Sequence, residues 1–510
     1  MQALTTQTKI AVVGAGAMGS GIAQVAAQAG HEVFLFDQSA EVVEKGKAGV
    51  AKQLQSRADK GKMEQAEVDA ILARILPANQ LSELASAGLV IEAIIENLEI
   101  KQKVFGELES ICGPEVILAT NTSSLSVTAL GSTLKRPERL IGMHFFNPAP
   151  LMALVEVILG LATDKGIAEQ IHATAAAWGK KPVFATSTPG FIVNRVARPF
   201  YAESLRLMQE QVAEPQTLDA LLREAGNFRM GPFELTDLIG HDVNYAVTCS
   251  VFDAYYGDFR FQPSLIQKSL VDAGRLGRKS GQGFYSYAEG AVRAEPVSAP
   301  ACSTQEKHLI VEGDLGVARA LVERCRTAGL EIVEREGQGL LRFGQATLAL
   351  TDGRMATERS AAEGLRNLVL FDLARDYSTA TRLALASAEQ TDPQAVEDAT
   401  ALFQLVGMQV SVIADAPGLV VMRTLAMLTN EGADAVFQGV ASPADVDLAM
   451  KAGLNYPEGP LAWSDQLGLG LVHQVLTHLQ SSYNEDRYRP SLLLRKQAFA
   501  NTGFFGATSA

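Results

Sequence analysis

His144 and Glu156 stand twelve residues apart in the stretch Gly142–Val157. An imidazole can take a proton from a hydroxyl near neutral pH. A carboxylate set in the apolar run Leu154-Val155-Glu156-Val157-Ile158 can hold the other ring nitrogen and stabilise the imidazolium that forms. A lone histidine is more often a satisfied core residue. A partner carboxylate and an upstream nucleotide-binding signature favour a chemical role instead. Supplied with a hydride acceptor, these residues could oxidise an alcohol without a metal.

The signature lies at the start of the chain. Lys9-Ile10-Ala11-Val12-Val13 reads as a buried strand, Gly14-Ala15-Gly16-Ala17-Met18-Gly19 as a turn, and Ser20 to Ala29 as a helix. Gly14 permits the tight turn, Gly16 a close backbone approach to a pyrophosphate, and Gly19 close helix–strand packing. The diphosphate would sit at the helix N-terminus, where free N–H groups and the dipole favour anions. A second strand, Glu32–Phe36, ends in Asp37, placed to accept hydrogen bonds from a ribose. A carboxylate there repels a 2′-phosphate, which predicts NAD over NADP. Strands Leu89–Ala93 and Val116–Thr120 run into Ile94-Ile95-Glu96-Asn97 and Asn121-Thr122-Ser123-Ser124. Ligands of open α/β sheets bind beyond such carboxyl ends, so Glu96, Asn121 and Ser123 are expected where cofactor and substrate meet. Ser124 and Ser126 suit helix caps better.

At 510 residues the chain has room for about three domains. Its 47% apolar and 20% charged content is that of an ordinary globular protein. A net charge of −13 argues against non-specific nucleic-acid binding. No apolar run suggests a membrane span and no signal peptide is visible. Cys112, Cys249, Cys302 and Cys325 are widely spaced, as buried or incidental thiols of a reducing compartment would be. The reading is cytoplasmic. Against the acidic total, Lys45 to Lys62, with Lys52, Arg57 and Lys60, is a local basic excess that is either a solvated helix face or an anion-binding arm.

These motifs resemble the L-3-hydroxyacyl-CoA dehydrogenase family, in its bacterial form with a tandem C-terminal domain. The resemblance rests on Gly14-x-Gly16-x-x-Gly19, Glu92-Ala93-Ile94-Ile95-Glu96-Asn97, Asn121-Thr122-Ser123-Ser124, His144-Phe145-Phe146-Asn147-Pro148, Pro189–Arg195 and Gly277–Tyr285, in family order over residues 7 to about 287. It implies NAD-dependent oxidation of an (S)-3-hydroxyacyl-CoA to the 3-oxoacyl-CoA. His144 would be general base and Glu156 its orienting partner, with Ser123 and Asn194 on the substrate oxygen and thioester and Asn147 close to both ligands. Gly14, Gly16, Ala17, Met18, Gly19, Asp37, Ala93, Glu96, Lys101, Asn121 and Lys279 would line the NAD site. Lys60 would meet the CoA phosphates, and no metal is implied. The tandem form suggests a short-chain or dicarboxylic acyl group, 3-hydroxybutyryl-CoA or the 3-hydroxyadipyl-CoA of phenylacetate catabolism. A dicarboxylic substrate would need a cation at the far end of the acyl group, for which Arg195, Arg198 and Arg229 are candidates.

The second half reads as a worn copy at an offset of 228. Gly179 matches Gly407, Pro189–Arg195 matches Pro417–Arg423, Gly231-Pro232-Phe233 matches Gly459-Pro460-Leu461, and Asp237–Gly240 matches Asp465–Gly468. The predicted organisation is α/β. It comprises a Rossmann domain over 1–184, a helical domain over 185–287, a linker over 288–304 rich in Ala, Glu, Pro and Ser, a degenerate Rossmann-like domain over 305–412 and a second helical copy over 413–510. Glu312-Gly313-Asp314-Leu315-Gly316 lacks the three-glycine spacing, and Met422 replaces Asn194, so one active site per chain is expected. The tandem copy could form an intrachain pseudo-dimer, or the chain could still pair as a homodimer. Two rival functions remain: a dehydrogenase of a free hydroxy acid, and a non-catalytic NAD-binding structural protein. The basic segment favours CoA over the first, and four co-occurring candidate catalytic residues count against the second.

Overall fold

The computed structural model describes residues 2–506; Met1 and residues 507–510, where the second helical copy was expected to end, lie outside the described residues. The chain divides into two compact units, Met1–Arg195 with Gln438–Leu454, and Val196–Phe437 with Asn455–Ala510.

The first unit is built on eight strands: β1 Ile10–Val13, β2 Val33–Phe36, β3 Ile75–Ala78, β4 Leu89–Glu92, β5 Ile117–Thr120, β6 Leu140–Phe145, β7 Leu154–Leu159 and β8 Lys181–Thr186. Their order is β3-β2-β1-β4-β5-β6-β7-β8. Neighbours run parallel except β6 and β7. The central strands are short, almost wholly apolar and buried along their length, as expected of a parallel sheet covered on both faces. The antiparallel register of β6 with β7 sets His144 directly opposite Glu156. Two residues distant in the motif thus become one cross-strand pair.

Helix Pro443–Leu454 also belongs to this unit and packs on β7 and β8. Beside it the Thr186 amide donates to the Val440 carbonyl at 2.9 Å. One helix of the second copy thus covers the first sheet.

The second unit holds seven strands, β9 His308–Glu312, β10 Glu331–Arg335, β11 Leu340–Phe343, β12 Ala346–Leu350, β13 Leu368–Phe371, β14 Arg382–Ser387 and β15 Gln409–Val412. Their order is β10-β9-β11-β12-β13-β14-β15. The offset of 228 carries β7 onto β14, helix Lys165–Ala177 onto Pro393–Leu405, and Pro232–Ile239 onto Pro460–Leu467, residue for residue. The repeat thus begins well upstream of Gly179. Where β1 and β4 lie parallel in the first sheet, β9 and β11 are antiparallel and β11 turns straight into β12. The opening strand–helix–strand survives as parallel β9 and β10 joined by helix Ala320–Thr327, and the β11–β12 hairpin takes the sheet positions that parallel β4 and β5 hold in the first unit.

Residues 288–304 contain no helix or strand, but they are tied down. The Ala299 amide donates to the Val410 carbonyl at 2.7 Å, and Arg382 donates to the Ser298 hydroxyl at 2.9 Å. This segment is a docked strap rather than a free linker.

Candidate active site

His144 is the next-to-last residue of a fully buried strand and is itself only 6% exposed. Its Nδ1 lies 2.7 Å from Glu156 Oε2. A carboxylate only accepts, so in the neutral imidazole paired with it Nδ1 carries the hydrogen and Nε2 keeps its lone pair. The ring sits between Phe146 and Phe191, at centroid distances of 4.5 and 5.9 Å. Glu156 is fully buried, and its Oε1 accepts from the Ile192 and Val193 amides at 3.0 Å each. Those amides are freed by the turn at Gly190 and Phe191, which both have positive φ. One carboxylate therefore fixes the imidazole on one side and the turn leading to Asn194 on the other.

A second cluster forms beyond β5. The Glu96 carboxylate accepts from the Thr122 hydroxyl at 2.6 Å, the Ser123 amide at 2.9 Å and the Ser124 amide at 3.1 Å. Burial opposes its charge. The Thr122 hydrogen bond, the Lys101 ammonium and the Ser123 amide together outweigh that, so the carboxyl titrates below its usual range. Lys101 is buried, bound to Glu92 at 2.6 Å and to Glu96 at 3.3 Å. Its ammonium is shared between these two acids, behind the Glu96 carboxylate that meets the loop after β5. Asn121 Oδ1 accepts from the Phe145 amide at 2.8 Å, tying the loop after β5 to the end of the histidine strand. Ser123 is half-buried, Asn194 likewise, and Asn147, which precedes a cis proline, is exposed. Ser126 caps helix Val127–Gly131, accepting from the Ala129 amide at 3.1 Å.

The glycine turn fits a dinucleotide. Gly14 has φ 104° and packs against Ala93, whose carbonyl oxygen an added Cβ would approach to 2.5 Å. At Gly19 a Cβ would fall 1.7 Å from the Gly14 carbonyl oxygen. At Gly16 nothing lies within 4 Å of that position, leaving room beside the turn. Helix Ala17–Gln28 starts there with Ala17 and Met18, without a side-chain cap or an acid in its first turn. Asp37 Oδ2 accepts from the Ala15 amide at 2.8 Å, holding the carboxylate beside the turn it must serve.

Lys60 ends helix Ala40–Asp59 and is exposed, as are Lys45, Lys52, Arg57 and Lys62 on the same segment. Lys279 falls in the second unit, where its ammonium pairs with the Asp242 carboxylate at 2.7 Å. Of the three candidate arginines, Arg195 and Arg198 are buried and Arg229 is exposed.

The counterpart of His144 at the constant offset is Asp372, which stands in no recognisable motif. Glu156 is replaced by Ala384, and the Asp372 amide donates to the Ala384 carbonyl at 3.1 Å. The Asp372 carboxylate itself accepts from the Val420, Val421 and Met422 amides at 2.7 to 3.1 Å. It performs the turn-holding half of Glu156's task with no imidazole beside it. No group of three or more His, Cys, Asp or Glu residues suited to a metal occurs among the described residues.

Comparison with known proteins agrees with this architecture. Residues 9–188 match the 3-hydroxyacyl-CoA dehydrogenase NAD-binding domain, residues 190–287 and 418–509 its C-terminal domain, and residues 348–417 the 3-hydroxybutyryl-CoA dehydrogenase reduced Rossmann-fold domain. The chain belongs to the 3-hydroxyacyl-CoA dehydrogenase family. It is 44% identical to the 3-hydroxyadipyl-CoA dehydrogenase of Escherichia coli K12, over 97% of this chain and 98% of that one. A crystal structure of an E. coli K12 3-hydroxybutyryl-CoA dehydrogenase aligns with a TM-score of 0.89 at 43% identity, covering 98% and 99% of the two chains. The human mitochondrial hydroxyacyl-coenzyme A dehydrogenase is 37% identical over 54% of this chain and 90% of its own length. This is therefore an NAD-dependent dehydrogenase with a Rossmann domain, helical C-terminal domains and a reduced Rossmann segment. No helix among the described residues is long and apolar enough to cross a membrane.

Proposed function

We propose that His144 is the general base in oxidation of the 3-hydroxyl of a short (S)-3-hydroxyacyl-CoA, with 3-hydroxyadipyl-CoA and 3-hydroxybutyryl-CoA as candidate substrates. The single observation that carries this is the 2.7 Å contact between His144 Nδ1 and Glu156 Oε2. In the neutral ring it selects the tautomer with Nε2 free to accept, and it places a buried carboxylate beside the imidazolium that forms. Nε2 accepts the hydroxyl proton while bound NAD⁺ supplies the acceptor for the C3 hydride. Ser123 and Asn194 hold the substrate oxygen and thioester in line. Asp37 receives the ribose hydroxyls and the glycine turn the diphosphate. Glu96, Asn121 and Asn147 shape the site where both ligands meet. The exposed basic face that includes Lys60 receives the CoA phosphates.

The acyl choice is supported by the name of the E. coli relative that covers nearly the whole chain. A cytoplasmic location is supported by four free cysteines. Absorbance at the NADH band with acetoacetyl-CoA, 3-hydroxybutyryl-CoA, 3-hydroxyadipyl-CoA and free 3-hydroxybutyrate tests the proposal. Turnover of thioesters alone is expected. Turnover of the free acid alone would move the substrate to the hydroxy-acid class, and none with any substrate would leave only an NAD-binding protein.

A further inference from the structure

Within the second unit a cavity of about 350 Å³ opens between helix Arg198–Gln209, the segment 260–267 and residues 483–488. Its walls mix apolar groups (Leu205, Phe261, Leu265) with cations and with two carboxylates, Glu485 and Glu210, the latter held by Arg423 and the Tyr483 hydroxyl. Most of those cations are accounted for. Arg206 pairs with Glu203, Arg487 with Glu485, and Arg260 with Asp434 and, at 3.5 Å, with Glu431. Arg198 differs. It is 5% exposed, one guanidinium nitrogen donates to the Thr248 hydroxyl at 3.0 Å, and its face lies over the Tyr201 ring. No carboxylate pairs with it among the described residues, and its Nε lacks a hydrogen-bond partner. Burial accordingly pulls the guanidinium below its ordinary range, with only the Tyr201 and Tyr456 phenols to offset it. Two further unpartnered groups on the same wall, Arg260 Nε and the Ser264 hydroxyl, can also donate.

A buried charge without a counter-ion is costly, and an arriving anion removes that cost. The planar fork of a guanidinium matches a carboxylate, and the apolar wall suits a short hydrocarbon chain attached to it. The volume lies within the range of small-molecule sites. We infer that this cavity binds the carboxylate of a short aliphatic acid, with Arg198 as its counter-charge.

The inference does not depend on the proposed substrate, because the carboxylate could be free in solution or carried by an acyl chain. Titration calorimetry with adipate and butyrate, and with adipamide as the uncharged control, tests it. Saturable binding of the acids but not of adipamide is expected, weakened about 10- to 100-fold in Arg198→Met, the range for one charged hydrogen-bond partner. Ser264→Ala, a milder change, should weaken it less and guards against misfolding of the first variant. Adipate binding that is absent, or unchanged in both variants, would overturn the proposal. Kinetics then separate the sources. If the substrate carries the carboxylate, Arg198→Met lowers kcat/KM for 3-hydroxyadipyl-CoA but not for 3-hydroxybutyryl-CoA, and adipate competes with the former. If the ligand is free, neither substrate responds while direct binding is still lost. Wild-type turnover of 3-hydroxybutyryl-CoA reports on the dehydrogenase reading alone.

Discussion

A strand pairing turns His144 and Glu156 into a dyad, and Glu156 serves two masters: an imidazole and a pair of amides. Removing each member should therefore differ in kind. His144→Ala should retain NADH binding, followed by fluorescence titration, while turnover falls ~10²–10⁴-fold, the usual contribution of a general base. A variant keeping more than about a third of the wild-type rate would remove His144 from the mechanism. Glu156→Gln can still accept from an amide but cannot stabilise the imidazolium, so kcat should fall more than substrate affinity. An equal loss in both would assign Glu156 to packing. Asp37, held by the Ala15 amide, should set cofactor choice. Asp37→Ser removes the repulsion of a 2′-phosphate, and the ratio of kcat/KM for NAD to that for NADP should narrow. Wild-type enzyme that used both equally would void the ribose contact. These residues were legible because each sits in a local motif with a strand before it. The commitments of Lys101 and Asn121 were not, because both depend on partners brought in by the sheet.

At the scale of elements, the glycine turn, the strand ends and the repeat could be read from spacing, but the identity of the element covering β7 could not. The offset of 228 makes helix Pro443–Leu454 the counterpart of Pro215–Glu224. The latter packs on β14, itself the counterpart of β7. No periodicity predicts that a helix nearly 300 residues downstream of Leu154 covers the strand bearing Glu156. Gly453 is the point of closest approach, where an added Cβ would lie 2.7 Å from Leu154 Cδ2 and 3.3 Å from Val193 Cγ2. Leu154 and Val193 flank the strand and the turn that Glu156 joins. Gly453→Val should therefore displace the dyad and lower kcat about 10- to 100-fold, the cost of roughly an ångström of misplacement. NADH affinity should stay near wild type. Gly453→Ala, whose single added carbon meets only the side-chain ends of Leu154 and Val193, should be milder. Loss of NADH affinity in step with kcat would mean general unfolding rather than a shifted dyad.

For the whole molecule, the question is why a chain with one His–Glu dyad keeps a second half of the same plan. Asp372 and Ala384 stand where His144 and Glu156 would be, and the turn after β9, Glu312-Gly313-Asp314-Leu315-Gly316, lacks the glycine spacing that would cradle a diphosphate. One NADH per chain is the expected stoichiometry by calorimetry, and two would sink the worn-copy reading. The retained part is the packing. Arg423, fully buried, donates to Glu203 Oε2 at 2.8 Å, and Tyr488 donates to the same oxygen at 3.1 Å, joining the two helical copies inside the second unit. Deleting residues 413–510 would take Arg423 and Tyr488 from Glu203, leaving it Arg206 alone, expose the apolar face of helix Arg198–Gln209 and uncover β7 and β8 in the first unit. Breaking a buried ion pair by removing one partner costs about 3–5 kcal/mol, much of a typical domain's stability of about 5–15 kcal/mol. The truncated chain should aggregate or self-associate in light scattering and lose turnover even though its glycine turn is intact. If it instead stayed soluble, monomeric and fully active, the second half would be a passive fusion, and the intrachain pseudo-dimer would have to be abandoned.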